Sequence, residues 1–259
     1  MSRGTSNAAA LTSRAAVELY EVIEELRSRH PSADLRPEFD AVLLKAMLAH
    51  GASWPREAEI WRGIVAVPPP RDRDEIARAY GYGVPDFRRA ASCTETRATG
   101  IGMGELGDEQ ALLFRFPRPA CLDAQTTLRR LVITLAYLTP IHPGHQSYRR
   151  ARLWVEHGSA ADALGVKSRD VTVKAARRGT LEHVVLEGEG RAPNPTVTDL
   201  ELTVVCQADA GELAGSVPFA LLVTLEVAEG VELHIYQQVA QRIAEEVTER
   251  VRPRQRGGA

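Results

Sequence analysis

The sequence predicts an α+β protein: a helical segment (residues 1–91), an antiparallel β-sandwich of jelly-roll type (92–232), and a closing helix with a basic tail (233–259). Apolar residues recur at helical spacing in the first segment, whereas apolar and polar residues alternate in the second. Clusters of Gly, Pro, Asp and Asn separate the alternating runs, which is typical of short strands joined by turns. At 259 residues, 44% of them hydrophobic, the chain can form one large domain or two smaller ones.

Two long helices are predicted near the N-terminus. Residues 7–29 carry an apolar stripe at helical spacing, formed by Leu11, Ala15, Leu19, Val22, Ile23 and Leu26. Pro31 bars continuation of this helix. A second helix begins at Pro37, a favourable first-turn residue, and ends at Gly51. Its apolar stripe consists of Phe39, Val42, Leu43, Ala46 and Met47.

The rest of the helical segment contains shorter elements. Three prolines at 68–70 indicate a loop, and Asp72 to Tyr80 is predicted as a short helix. Residues 81–86 form a glycine-containing turn, after which Asp86 can cap one last helical turn through Ala91.

The second segment is predicted to be mainly β-structure. Its candidate strands are 94–102, 111–116, 127–138, 149–156, 169–175, 180–187, 198–206 and 217–228. A closing helix is expected from His234 to Val247, followed by a frayed basic tail that contains Arg250, Arg252, Arg254 and Arg256.

The composition argues against several classes of function. Lys and Arg total 32 against 34 Asp and Glu, so no global field favours nucleic acid or an anionic membrane. No apolar run approaches the ~20 residues of a membrane helix, and no signal peptide is readable. The cysteines are too few and scattered for a zinc site or a disulfide scaffold, so we expect no metal, no cofactor and a cytoplasmic location. These cysteines are Cys93, Cys121 and Cys206.

The strongest functional pattern is Gly4-Thr5-Ser6, followed by Asn7 and three alanines at the start of the first helix. A serine at this position lies near unsatisfied backbone N–H groups and the positive end of the helix dipole. This environment suits an oxyanion that forms beside the serine. Gly4 allows the backbone to approach a substrate closely.

At these residues the sequence resembles the subtilisin-like serine peptidases (subtilases), whose nucleophile lies in a Gly-Thr-Ser-x-Ala motif at the start of a buried helix. The resemblance places Ser6 as nucleophile and Asn7 at the variable position. Residues 39–51 resemble the next helix of that family, and 81–90 resemble the turn that closes its core. With the stretch 140–150, the whole chain is most similar to bacterial, intracellular subtilases.

The resemblance implies a serine endopeptidase that acts on a protein or peptide. It also implies that residues 1–91 are the C-terminal remnant of a subtilase α/β core and that the β-sandwich is an accessory domain. In subtilases the catalytic Asp and His and the oxyanion Asn precede the serine. Since Ser6 lies at the start of this chain, we expect the chain alone to be inactive. It would be a truncation, the product of a late start site, or one part of a split protease completed by an upstream subtilase polypeptide.

Other interpretations remain open. Thr5 and Ser6 could serve only as a helix N-cap, and the β-sandwich could act as a non-catalytic interaction module. An in-chain base is not expected, because the histidines lie far from Ser6 along the chain, at His30, His50, His142, His145, His157, His183 and His234. The pair His142 and His145 fits a surface turn better than a metal site, since no carboxylate or thiol accompanies it at a diagnostic spacing.

Overall fold

A computed structural model of the chain describes residues 4–31, 33–65, 68, 71–168, 170–228 and 233–251. Side chains are described in these ranges except at 173, 175 and 244–251. The protein is α+β, with helices and antiparallel sheets, which confirms the predicted fold class at that level. Within the described ranges no helix is both long and apolar enough to cross a membrane.

The described residues up to Ala91 are mainly helical, as predicted. α1 spans Thr5–Arg29, and a 3-10 turn at Pro37–Phe39 leads into α2 at Asp40–His50. The remaining helices of this segment are α3 (Glu57–Val65), α4 (Arg71–Tyr80) and α5 (Phe87–Ala91). Asp86 is the N-cap of α5 and accepts a hydrogen bond from the Arg89 N–H, which confirms the predicted cap. The sequence predicts no helix at the position of α3.

Two antiparallel sheets follow. The five-stranded sheet has the order β1-β8-β3-β6-β5, and the three-stranded sheet has the order β2-β7-β4. The strands are β1 Arg97–Leu106, β2 Ala111–Pro117, β3 Arg129–Tyr137, β4 Ala151–Glu156, β5 Lys167–Ser168, β6 Leu181–Gly188, β7 Asp199–Ala208 and β8 Val217–Val227. Two short helices, α6 (Gly158–Leu164) and α7 (Val173–Ala176), lie between strands, and α8 (Ile235–Val251) closes the chain.

The strand predicted at 169–175 is wrong. Residues 173–176 form the single helical turn α7, and only the two-residue strand β5 precedes it. Val171 and Ala176 are both buried, and the Thr172 hydroxyl donates to the Asp74 carboxylate at 2.8 Å. Over so few residues a short apolar pattern fits a helical turn as well as a strand, so periodicity could not decide.

The larger core lies between the two sheets, and three glycines on β1 set how closely the sheets approach. A Cβ at Gly102 would lie 2.4 Å from the Phe114 ring, and one at Gly100 would lie 3.0 Å from the Phe116 ring. A Cβ at Gly104 would lie 3.3 Å from the Leu112 side chain. The alternating glycines therefore leave the space that the side chains of β2 fill.

A second core joins the helices to the opposite side of the five-stranded sheet. It contains Leu19 and Ile23 of α1, Leu43 and Met47 of α2, and Leu222 of β8. Lys45 adds a polar contact, because its Nζ donates to the Tyr137 carbonyl at 3.0 Å and to the Thr180 hydroxyl at 2.6 Å. The helical segment 1–91 thus packs directly on strands of the segment 92–232, and the domain boundary between them stays a prediction.

Parts of some predictions lie outside the described residues. They are the basic tail from Arg252 onward, and two of the prolines in the loop at 68–70. The side chain of Arg250 lies outside them as well.

Candidate functional site

Ser6 is the second residue of α1, and neither it nor Thr5 caps the helix. The N-cap is Gly4, which has no side chain to form a capping hydrogen bond. Gly4 has φ 137° and ψ 163°, a backbone conformation that residues with a Cβ rarely adopt. The interpretation of Thr5 and Ser6 as a simple N-cap is therefore not supported by the geometry.

The first turn of α1 has the electrostatic character of an anion-binding site. Backbone N–H groups in the first turn of a helix have no intrahelical partner, and the helix dipole places partial positive charge there. The first turn of α1 contains no acidic residue that would neutralise this charge, and Ser6 is exposed. A negative charge that develops next to the Ser6 hydroxyl would therefore be stabilised electrostatically.

The N-terminal half of α1 projects from the body of the protein. The buried residues of the whole helix are Ala15, Leu19 and Ile23, which are spaced four residues apart. Leu19 and Ile23 pack with residues of α2. By contrast, Leu11 is 65% exposed and Val17 is 61% exposed. Apolar side chains therefore face solvent on the helix that carries Ser6, where the subtilase resemblance predicts a covered helix.

No base is positioned at Ser6 among the described residues, because none of their side chains is hydrogen-bonded to it. His30 caps the opposite end of α1, about 36 Å away at about 1.5 Å per residue. His157 precedes α6, where its ring contacts the Val155 carbonyl at 3.2 Å. Neither of these two histidines contacts Ser6.

His142 and His145 lie together in an exposed turn. Their ring centroids are 5.9 Å apart, and the Ser147 N–H donates to His145 Nδ1 at 3.1 Å. Across the described part of the chain, no group of three His, Cys, Asp or Glu side chains is arranged to hold a metal ion.

A buried polar cluster that the sequence did not predict lies under α2. His50, at the end of that helix, and His183 on β6 both contact the Thr134 hydroxyl, at 2.8 Å and 2.7 Å. His183 Nε2 lies 3.0 Å from the Ala52 carbonyl, an obligate acceptor, so that nitrogen carries the proton. In the neutral ring Nδ1 then accepts from Thr134, and Thr134 in turn accepts from His50 Nδ1–H.

The same chain of hydrogen bonds continues across the sheet. His50 Nε2 is left as an acceptor and receives the Thr224 hydroxyl at 2.6 Å. Thr224 accepts in turn from Thr99 at 2.6 Å, which completes one consistent direction from β1 to α2 and β6. We call the five side chains Thr99, Thr224, His50, Thr134 and His183 the histidine–threonine chain. It joins four strands (β1, β8, β3 and β6) and one helix (α2).

Burial keeps both imidazoles neutral. Burial, together with the charges of His183 and nearby arginines, lowers the pKa of His50 to about 3. Burial lowers the pKa of His183 to about 4. Since both rings are enclosed and fully hydrogen-bonded, neither can act as a base for the exposed Ser6.

A buried carboxyl group lies on the other side of the same sheet. Glu182 accepts from the Val155 N–H at 3.0 Å and from Arg177 Nε at 3.3 Å. Burial raises the pKa of Glu182 to about 7. Its contacts tie β6 to β4 across the core, which indicates a structural role.

Polar residues inside apolar strands were the signal for these clusters. Thr134, Thr224 and His183 each interrupt a run of aliphatic residues, but their partners lie 49 to 174 positions away. A scan of the sequence against protein-family models found no match, and a search of curated proteins found none either. The resemblance to subtilases therefore stays a prediction from the sequence.

Proposed function

We propose that this chain carries the nucleophile of a subtilase-type serine endopeptidase. Ser6 would be the attacking residue, and Gly4 and Thr5 would shape the motif around it. The observation that carries the proposal is the exposed Ser6 behind the glycine N-cap, in the acid-free first turn of a 25-residue helix. A serine is a weak nucleophile without an adjacent base, so the histidine and aspartate would come from a polypeptide segment that binds against α1.

In that complex Ser6 Oγ attacks the carbonyl carbon of the scissile peptide bond. The hydroxyl proton passes to the imidazole of the bound segment, and that histidine later donates it to the leaving amine. The backbone N–H of Ser6 donates to the oxyanion of the tetrahedral intermediate. Water then hydrolyses the acyl-enzyme ester on Ser6 and releases the second product.

Exposed apolar side chains on more than one side of α1 support the binding of such a segment. Leu11, Val17 and Tyr20 lie on α1 and are exposed, whereas the helices of a finished core normally bury such residues. On α3, Ile60 and Ile64 are also exposed. The segment that completes the active site would cover apolar side chains of α1 while it brings its histidine to Ser6.

The strand order supports assignment of the second half to a jelly-roll accessory domain. In a jelly roll, strands one, eight, three and six form one sheet, and strands two, seven, four and five form the other. Seven strands of this chain follow that order, and the short β5 pairs with β6 instead of β4. On this proposal residues 1–91 are the C-terminal part of a subtilase core that rests on the jelly roll.

The three cysteines support an intracellular setting for the enzyme. Cys93, Cys121 and Cys206 are unpaired, and Cys206 is buried. Free thiols of this kind persist in reducing compartments, so we place the protein in the cytoplasm.

The alternative is a non-catalytic interaction module whose working part is the pair of sheets. A groove of about 800 Å³ opens between β1 and β2 and favours this alternative. Phe114, Phe116 and Ile243 lie along it, so it offers apolar contacts to a bound chain. In this case Ser6 would have no catalytic role.

Fluorophosphonate labelling separates the two functions. The purified chain should not be labelled, whereas the chain produced together with polypeptide encoded upstream of Met1 should be labelled at Ser6. Ser6→Ala should abolish that labelling, and Ser13→Ala, an exposed serine two turns further along α1, should retain it. Absence of labelling with every upstream product would contradict the protease proposal and favour the interaction module.

A further inference from the structure

A row of alternating charges crosses the five-stranded sheet near one end. Neighbouring strands pair Arg97 with Glu226, Glu226 with Arg130, Arg130 with Glu187, and Glu187 with Lys167. Arg130 donates to Glu226 at 2.9 Å and to Glu187 at 3.1 Å. Opposite charges in adjacent register positions stabilise a sheet, so most of this row has a structural explanation.

One end of the row carries more positive charge than the sheet requires. Arg89 reaches down from α5 and forms an ion pair with Glu226, which already accepts from Arg130. Arg97 instead donates to the carbonyl oxygen of Ser92 at 2.7 Å. Three guanidinium groups therefore lie around Glu226: Arg89 and Arg130 pair with it, and Arg97 forms no ion pair with a carboxylate among the described residues.

These side chains surround a cavity of about 200 Å³. Arg89, Arg97 and Arg130 line it together with Glu226, Thr94 and Thr96, and we call it the arginine cavity. Glu226 is buried and is already bonded to two arginines. Among the described residues, Arg130 Nε is a buried donor that has no hydrogen-bond acceptor. The cavity thus combines surplus positive charge, an unsatisfied donor and two hydroxyl groups.

We propose that the arginine cavity binds a phosphate group. Guanidinium groups match the oxygens of phosphate with paired, charge-assisted hydrogen bonds, and threonine hydroxyls can donate to the remaining oxygens. The volume suits a compact anion and is below the usual range for drug-sized ligands, about 300–1,000 Å³. The bound dianion would offset the surplus charge of the three arginines. This site is separate from Ser6, and its occupancy does not depend on the protease proposal.

Isothermal titration calorimetry with inorganic phosphate at constant ionic strength tests the site. The intact chain should show saturable binding to one site, and Arg97→Gln should weaken that binding at least tenfold. Arg115→Gln is the matched control, because Arg115 lies on the other sheet, is exposed and pairs with Glu201. Phosphate should bind the Arg115→Gln variant with an affinity within about twofold of the wild type, because Arg115 does not line the cavity. The fold should also be unaffected, since an exposed ion pair contributes little to stability.

A second variant tests whether weaker binding results from local unfolding, because Arg97 also donates to the Ser92 carbonyl and its loss could disturb that loop. Thr96→Val removes only a hydroxyl from the cavity and should weaken phosphate binding several-fold without changing the melting temperature of the ligand-free protein. A parallel titration with glycerol phosphate distinguishes the source, since tighter binding than inorganic phosphate identifies a phosphate ester as the ligand. Absence of saturable binding up to about 10 mM, or equal affinity in wild type and both cavity variants, would overturn the proposal.

Discussion

The two buried histidines should make the stability of the protein depend on pH with a definite sign. Both pKa values are lowered on folding, to about 3 for His50 and about 4 for His183. Below the unfolded value near 6.5 the unfolded chain therefore binds more protons than the folded protein. The contribution of these two histidines to the free energy of unfolding must therefore fall as the pH drops from about 6.5 towards 4.

The structure explains why the folded protein resists protonation. A proton added to His183 Nδ1 or His50 Nε2 turns an acceptor into a donor and leaves a threonine hydroxyl without its acceptor. The proton would also sit in a site closed to water, between α2 and the sheet. Each histidine changes the free energy by up to about 1.4 kcal/mol per pH unit, so His50 alone contributes about 2 kcal/mol between pH 7.5 and 5.

Glu182 acts in the opposite direction and must be separated from the histidines. Its pKa is raised to about 7, so the folded protein binds a proton there before the unfolded chain does. Acidification from pH 7.5 to 5 therefore adds stability through Glu182 by a comparable amount, about 2 kcal/mol. The pH dependence of the wild type alone is a sum of opposing contributions, so a difference between variants is needed.

His50→Gln isolates the contribution of one histidine. At pH 7.5 the variant should be about 1–3 kcal/mol less stable than the wild type, because the flexible amide replaces a rigid ring packed between Thr134 and Thr224 and does not hold its donor and acceptor at the positions of the two ring nitrogens. At pH 5 this deficit should shrink by about 2 kcal/mol, because the variant has no imidazole to protonate on unfolding. Urea denaturation at the two pH values measures both quantities.

His30→Gln is the matched control, because His30 is an exposed histidine at the end of α1. Its difference from the wild type should be the same at both pH values. If the deficit of His50→Gln is also unchanged between pH 7.5 and 5, then His50 is not held neutral by burial, and the reasoning fails.

Two further predictions concern packing and capping. Gly102→Ala places a Cβ 2.4 Å from the Phe114 ring and should cost about 1–3 kcal/mol of stability by chemical denaturation. The control is Gly158→Ala, whose added Cβ would meet nothing within 4 Å. Its free energy of unfolding should stay within about 0.5 kcal/mol of the wild type. Equal losses of stability in the two variants would contradict the close approach of the sheets. Asp86→Ala removes the acceptor 3.1 Å from the Arg89 N–H. It should lower the free energy of unfolding by about 0.5–2 kcal/mol, which a lower melting temperature would reveal. Asp86→Asn should retain most of that stability, and equal effects of both substitutions would exclude capping as the cause.

Local patterns predicted the elements whose signals are contained within a few residues. The stripe of α1, the proline start and glycine end of α2, and the Asp86 cap are such signals, and the structure contains all three. The alternation of β7 likewise reflects burial on one face, since Leu200, Leu202, Val204 and Cys206 are fully buried. α3 was missed because Ile60, Trp61 and Ile64 are exposed, so its apolar residues do not mark a buried stripe.

Features that depend on distant residues could not be predicted from local sequence. Gly100, Gly102 and Gly104 form a glycine series without the strand–helix context of a nucleotide site. Their role becomes visible only when β2 is placed opposite them. The histidine–threonine chain needs the register of four strands and the end of α2 together. Spacing along the chain gives no information about either arrangement.

The support of α1 bears directly on how Ser6 could act. The nearest buried residue of the helix is Ala15, nine residues beyond Ser6, so about 13 Å of helix extends from its last anchor. A nucleophile must be held to about 0.5 Å, and a misplacement of 1 Å can cost on the order of 100-fold in rate. Supplying a histidine in solution would therefore not activate Ser6. The segment that provides the base must also pack on Leu11 and Val17 to fix the helix. Polar substitutions at these two positions should therefore abolish fluorophosphonate labelling in the complex. The fold of the isolated chain should stay intact, because both side chains are exposed there. Labelling that survives both substitutions would show that the serine is positioned by other contacts.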